Sequence, residues 1–231
     1  LITAAAAQGH DYELLQGRLP AGLNLTDETE DYTTLILCGL KSRDLLAGIC
    51  DGDLSRPWLT HQTSHIAGKF VNLIRVCFAG ELGWEVHAAV DDMPDIHAAI
   101  SEAGAPLGLK PFGMFALDSL RIEKGYRAWK GDLSTDYTML QAGLERFIRW
   151  DKPDFVGKVA LLAERGKGPT KRFVTLVVEA GDYDAPYMST LWQGDSIVGE
   201  TTSGAWGHRV DKSVALGVLR SDLAQAGTRL E

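Results

Sequence analysis

The sequence predicts an α+β fold followed by a smaller all-β domain, and three observations carry that reading. Up to residue 125 the local patterns run helix, strand, helix, hairpin, helix, helix, which is not the strict alternation of a βαβ sheet. The Gly/Pro/Lys-rich stretch RGKGPTKR at 165–172 then marks a domain boundary, placed between 166 and 167. From 173 onward come short β-prone runs separated by glycine and aspartate turns. Short strands in series need closure or stacking to hide their edges, so residues 167–231 are expected to form a small barrel or sandwich.

Each element has its own signal. Residues 4–15 are rich in helix formers and stop before the breaker LPAG. YTTLILCGL, 32–40, is β-branched and apolar, as a buried strand requires. KSRDLLAGIC places Leu45, Leu46 and Ile49 at helical spacing. THQTSHI alternates like a strand, and FVNLIRVCF reads as a second one. GELG, at 80–83, then turns the chain into WEVHAAV, completing a hairpin. MPDIHAAISEAG is a helix with Pro94 in its first turn and Gly104 just past its end. PFGMFALDSLRIEKG is another, with Met114, Leu117, Leu120 and Arg121 stacked at i, i+3 and i+4 and Gly125 at its stop. DFVGKVALLAE is a short helix before the boundary. Beyond it FVTLVVEA, STLWQG, SIVGE and SVALGVL read as strands, and GETTSGAWGH as a β-turn with a bulge. The chain opens on a helical pattern already under way and closes on AGTRLE like a strand beginning. Both ends read as those of a piece of a longer protein.

Composition narrows the function classes. A chain of 231 residues is long enough for a sizeable core, and its net charge of −8 opposes nucleic acid and anionic membranes as partners of the whole surface. Three cysteines without CxxC spacing argue against a disulfide framework or a zinc site and for a reducing compartment, cytoplasmic or, in a eukaryote, the mitochondrial matrix. No apolar run reaches the length of about 20 residues that a spanning helix needs. No cationic segment precedes the first apolar residues, so the start does not read as a signal peptide.

Two groups of residues invite a chemical reading. Glu81 and Glu85 flank the hairpin turn, and on the strand leaving it Glu85 and His87 share one face while Trp84 and Val86 take the other. A carboxylate on a rigid strand beside aromatics can accept two parallel hydrogen bonds from an N–H/NH₂ edge. The plainer reading from spacing alone is that it faces solvent or pairs with a cross-strand Arg75 or Lys69. Tyr126, Trp129 and Tyr137 crowd a polar segment, where they serve either a flat ligand or the core. His61 and His65 fall on one side of a strand with no third metal ligand near in sequence. RGKGPTKR lacks phosphate-loop spacing and reads as a solvated interdomain loop. No nucleophile-elbow motif occurs.

Four ordered motifs resemble a known family. RVCFAGELGWEV, 75–86, resembles the hairpin signature of the tetrahydrofolate-binding aminomethyltransferases, the T-proteins of glycine cleavage. LDSLRIEKGYRAWKGDLSTDYTMLQAGL is similar to the C-terminal folate domain of dimethylglycine and sarcosine dehydrogenases. DKPDFVGKVALLAE is similar to the helix that joins that domain to a C-terminal β-barrel, and TTSGAWGHRVDKSVALGVL to the barrel's own motif. The resemblance implies a T-protein-like folate domain followed by a barrel. It implies tetrahydrofolate binding through Glu85, with Phe78 and Tyr126 as aromatic walls and Trp58 as a further one. Phe78 stands where most T-proteins have tyrosine. Leu117 stands where they carry an arginine, a departure that favours the dehydrogenase-linked branch, and Arg121 is expected to pair with Asp118. The family's catalytic aspartate matches a segment upstream of Leu1, so no catalytic residue is assigned.

The implied function is capture of the carbon unit from N-methyl amine oxidation as 5,10-methylenetetrahydrofolate. A flavin oxidoreductase domain or subunit is expected upstream. No flavin is expected in this chain, where no GxGxxG follows a strand. The alternatives are a glycine cleavage aminomethyltransferase, a folate-dependent S- or O-demethylase, and a non-enzymatic folate-binding or interaction protein.

Overall fold

The computed structural model describes residues 1–179, 181 and 183–231. It comprises two compact units, Leu1–Pro111 and Phe112–Glu231.

The first unit begins with helix α1 (Gln8–Gln16), which buries no side chain, and then strand β1 (Tyr32–Cys38). Helix α2 (Ser42–Ala47) buries Leu45 and Leu46. Strands β2 (His61–Ile66), β3 (Lys69–Ile74) and β4 (Gly83–Ala89) complete an antiparallel sheet ordered β1-β4-β3-β2. Helix α3 (Met93–Gly104) carries Pro94 in its first turn and buries Met93, Ile96 and Ile100 at i, i+3 and i+7. Leu37, Val71, Leu73, Trp84 and Val86 join α2 and α3 in one core, so one sheet face is apolar and packed.

Two local expectations change here. Gly104 is the last residue of α3 rather than its stop. A Cβ there would lie 2.4 Å from Leu109 Cδ2 and 2.9 Å from Leu45 Cδ1, so crowding requires the glycine. The strand expected through Phe78 ends at Ile74. Arg75 leaves the ladder to exchange backbone hydrogen bonds with the 59–60 segment, at 3.0 Å from Leu59 N and 2.8 Å to Thr60 O, which makes residues 75–82 a broad loop.

The second unit starts with helix α4 (Met114–Glu123), closed by Gly125 at φ +74°, where a left-handed conformation suits glycine. Helix α5 (Lys158–Lys167) buries no side chain. Strands β5 (Lys171–Val178), β6 (Thr190–Gln193), β7 (Ser196–Gly207) and β8 (Lys212–Arg220) form a second antiparallel sheet ordered β5-β8-β7-β6. Ala180, the last residue of the run FVTLVVEA, lies outside the described residues. RGKGPTKR supplies the end of α5 and the start of β5.

The expected C-terminal β-barrel is not formed. β5 and β6 are the two edges of this four-stranded sheet, and among the described residues no sheet closes on itself. A helix replaces closure. Ile122 of α4 packs with Val214, Leu216, Phe173 and Ala205, while Ser119 Oγ donates to Trp206 O at 2.7 Å and Val210 N to Glu123 Oε1 at 3.0 Å. An apolar face covered in this way has no need of further strands. GETTSGAWGH is likewise not a turn. Residues 199–207 continue β7, and only the bulge is present, as a register shift between Thr201 and Ser203.

Candidate functional site

Glu85 lies in the middle of β4, facing Ile36 of β1 and Ile74 of β3, on the sheet face opposite the core. Its neighbours Trp84 and Val86 are buried, and its own side chain is 25% exposed, so the carboxylate is partly shielded yet reachable. It pairs with neither Arg75 nor Lys69. Lys69 Nζ reaches Asp92 at 2.8 Å, and Arg75 donates from Nη1 to Gly83 O at 3.0 Å with its guanidinium 4.6 Å above the Trp84 ring. Glu85 Oε2 instead lies 3.1 Å from His87 Nε2, and His87 Nδ1 lies 2.9 Å from Thr34 Oγ1. An ionised carboxylate only accepts, so Nε2 donates to Glu85, while the Thr34 hydroxyl, which can donate or accept, meets Nδ1. The relay Thr34–His87–Glu85 fixes Oε2. Oε1 has no hydrogen-bond partner among the described residues.

Phe78 and Trp58 belong to the same end of this sheet. Glu85, Ile74 and His61 form one row across β4, β3 and β2. Trp58 comes just before β2, and Phe78 sits in loop 75–82 beyond β3. Trp58 is 46% exposed and Phe78 half-buried. Tyr126 belongs to the second unit, where its N–H donates to Arg121 O at 2.7 Å and its carbonyl accepts from Arg121 Nη1 at 3.2 Å. Trp129 is exposed, and the Tyr137 hydroxyl donates to Glu200 Oε1 at 3.0 Å. Burial first, and then Glu200, push that phenol up to about 12.

His61 and His65 have other partners. His61 Nε2 meets Asn72 Oδ1 at 2.9 Å, and His65 Nδ1 meets Asp51 Oδ2 at 3.1 Å. Asp51 also accepts from Ser64 Oγ at 2.5 Å and His65 N at 2.8 Å, and these bonds, Ser64 first, hold its carboxyl down at about 2. A depressed carboxylate stabilises the fold fully above its ordinary value of 3.8 and loses that contribution as pH falls through about 2. Thermal melts should therefore show wild type above Asp51→Asn at pH values over 3.8, with the gap closing toward pH 2. A gap unchanged across that window would remove Asp51 from the acid limb.

The residue that sequence reasoning missed is Asp132. Its side chain is fully buried and accepts from Arg121 Nη1, Ala128 N at 2.8 Å, Thr202 Oγ1 at 2.5 Å and Ser203 Oγ at 2.7 Å. Arg121 also makes the expected bond to Asp118, Nε to Oδ1 at 2.7 Å, and another from Nη2 to Ser203 Oγ at 3.0 Å. The network ties α4, the 126–132 loop and β7 together. One signal for it was available, the acidic residue in YRAWKGD, but the partners were hidden while 199–208 was read as a turn.

Residues 1–152 match the model of the GCVT N-terminal domain, and residues 171–231 match that of the glycine cleavage T-protein C-terminal barrel domain. Human mitochondrial dimethylglycine dehydrogenase is 32% identical over 238 residues, covering 100% of this chain and 28% of that protein. Mouse mitochondrial sarcosine dehydrogenase is 38% identical over 202 residues, covering 85% of this chain and 22% of that protein. An aminomethyltransferase of Thermosynechococcus vestitus is 30% identical over 230 residues, 99% of this chain and 62% of that protein. The chain thus spans under a third of the length of the two dehydrogenases. The crystal structure of glycine cleavage system aminomethyltransferase T from Bartonella henselae superposes with a TM-score of 0.85 at 22% identity, over 98% of this chain and 62% of that one, which shows a common fold. With two thirds of its residues matched by the N-terminal model and a second match following in order, the chain belongs to the glycine cleavage T-protein (GCVT-like) family.

Proposed function

We propose that this chain is the tetrahydrofolate-binding, one-carbon-transfer part of an enzyme that oxidises N-methyl amines such as dimethylglycine or sarcosine. The observation that carries the reading is Glu85, a half-shielded carboxylate whose Oε2 is held by His87 and whose Oε1 has no partner among the described residues. Such a group suits the N–H/NH₂ edge of an aminopyrimidine, which presents two parallel donors. Phe78 and Trp58 supply stacking area at the same end of the sheet. When bound, tetrahydrofolate supplies the two nitrogens that accept the carbon unit. The work of this chain is to bind and orient it, and such positioning can be worth effective molarities of about 10⁵ M or more. Phe78 keeps ring area without a tyrosine hydroxyl, so its contribution is stacking alone. A flavin oxidoreductase domain or subunit is the partner this reading requires, since the carbon unit comes from amine oxidation.

Calorimetric titration of 5-formyltetrahydrofolate into wild type and Glu85→Ala tests the reading. Loss of a charged acceptor should cost about 1.5–3 kcal/mol, weakening binding about tenfold or more. Equal affinities would take Glu85 out of the site, and no binding to either protein would remove the folate reading.

A further inference from the structure

Cys38 ends β1 directly opposite Gly83, the first residue of β4, and Cys77 lies in the loop that leads into Gly83. A Cβ at Gly83 would meet the Cβ atoms of both cysteines at 3.0 Å. The two Cβ atoms are therefore within about 6 Å of each other, against about 3.5–4.5 Å in a formed bridge, a gap that a small shift of a loop closes. Cys77 is 5% exposed and Cys38 is half-buried. Cys50 is engaged elsewhere, with its sulfur 3.0 Å from Ser64 Oγ.

We propose that Cys38 and Cys77 are an oxidative modification site, a thiol pair that peroxide converts into a disulfide joining the end of β1 to loop 75–82. The surroundings polarise the pair. A hydrogen bond from Cys38 and backbone N–H groups of Glu81, Ala79 and Gly80 hold the Cys77 thiol down at about 6 against its burial. The same sulfur–sulfur bond, burial and nearby Glu81 push Cys38 up. Arg75 is the cation close to Cys77. Cys77 is thus the thiolate and Cys38 the resolving thiol.

The Cys77 thiolate attacks one peroxide oxygen, the O–O bond breaks, and hydroxide leaves to become water, giving a sulfenic acid. The Cys38 sulfur then attacks the Cys77 sulfur, the S–O bond breaks, and the Cys38 proton departs with a second water. Two thiols lose two electrons and two protons, and peroxide is reduced to two waters. Peroxide is the class of oxidant that fits, because a nearly buried sulfur admits a small molecule more readily than a bulky disulfide.

The test treats the chain with hydrogen peroxide at neutral pH and follows intact mass, peptide maps and alkylatable thiols. Wild type should lose two hydrogens and two of its three free thiols. The map should show Cys38 joined to Cys77, reversibly with a thiol reductant, and Cys50→Ser should behave identically. Cys38→Ser should stop at a sulfenic acid trapped by dimedone, and Cys77→Ser should form no bridge. Oxygen addition without a bridge in wild type or Cys50→Ser, a bridge through Cys50, or no reaction would each overturn the proposal. Because wild type and Cys50→Ser decide the outcome, it stands independently of how well the other variants fold, and independently of folate binding.

Discussion

Replacing Asp132 with alanine should destabilise the second unit by about 3–5 kcal/mol, the cost of leaving a buried cation without its counter-charge. The side chain of Arg121 is only 5% exposed, and that of Asp132 is 0% exposed. Among the described residues the other anion bonded to Arg121 is Asp118, whose side chain is 55% exposed and which holds only Nε. The substitution also strips an acceptor from Thr202 and Ser203, both buried. Such a loss is a large fraction of the stability of about 5–15 kcal/mol that an ordinary domain possesses. The double variant Arg121→Met with Asp132→Leu removes both charges and should recover much of the loss, since apolar replacement of a buried pair is often neutral. Urea unfolding midpoints of the wild type and both variants are the measurement. A single variant within about 1 kcal/mol of wild type would show that water reaches the pair and screens it.

Gly199→Ala should cost about 1–3 kcal/mol, toward the upper end of what overpacking exacts. Gly199 faces Leu219 in the β7–β8 ladder, and a Cβ there would lie 2.3 Å from Val218 O and 3.1 Å from Leu219 Cα. The obstacle is the backbone of β8, buried continuously from Ser213 to Leu219, and it cannot swing aside as a long side chain would. Gly166 in α5 is the control. Nothing lies within 4 Å of its Cβ position, so alanine there should stabilise by about 0.5–1 kcal/mol through helix propensity alone. Thermal unfolding of the two variants should shift in opposite directions. A Gly199→Ala melt at or above wild type would contradict the close β7–β8 approach.

Periodicity made the first unit largely legible. The alternation of β4 and the i, i+3, i+7 stripe of α3 are local patterns, and each produced the element it implied, whereas the apolar run of β1, expected as a buried strand, became a sheet edge that buries only Leu37. Glu85 was placed on the correct face by the same alternation, but its partnership with His87 depends on side-chain torsions that spacing does not encode. β7 was read in part as a turn because Gly199, Gly204 and Gly207 look like turn residues. Two of them answer close approach instead, with Cβ positions 2.3 Å from Val218 O and 2.1 Å from Ala185 O, a constraint set by strands and loops distant in sequence. Closure was misjudged for a related reason. Short strands do signal exposed edges and an apolar face in need of cover, but they do not say whether strands or a helix will provide it. Asp132 was overlooked because a lone aspartate in a polar segment looks solvated until Thr202 and Ser203, some 70 residues on, are brought to it.

The clasp of α4 and the 126–132 loop onto β7 limits how this chain can be shuffled. The two family models meet it as separate blocks, residues 1–152 and 171–231, yet Arg121 and Asp132 in the first are fastened to Ser203 and Thr202 in the second. A chimera that grafts only the C-terminal block from another relative will inherit a mismatched lock. One that carries over everything from residue 112 onward transplants lock and key together, and it is the graft expected to express as soluble, cooperatively melting protein.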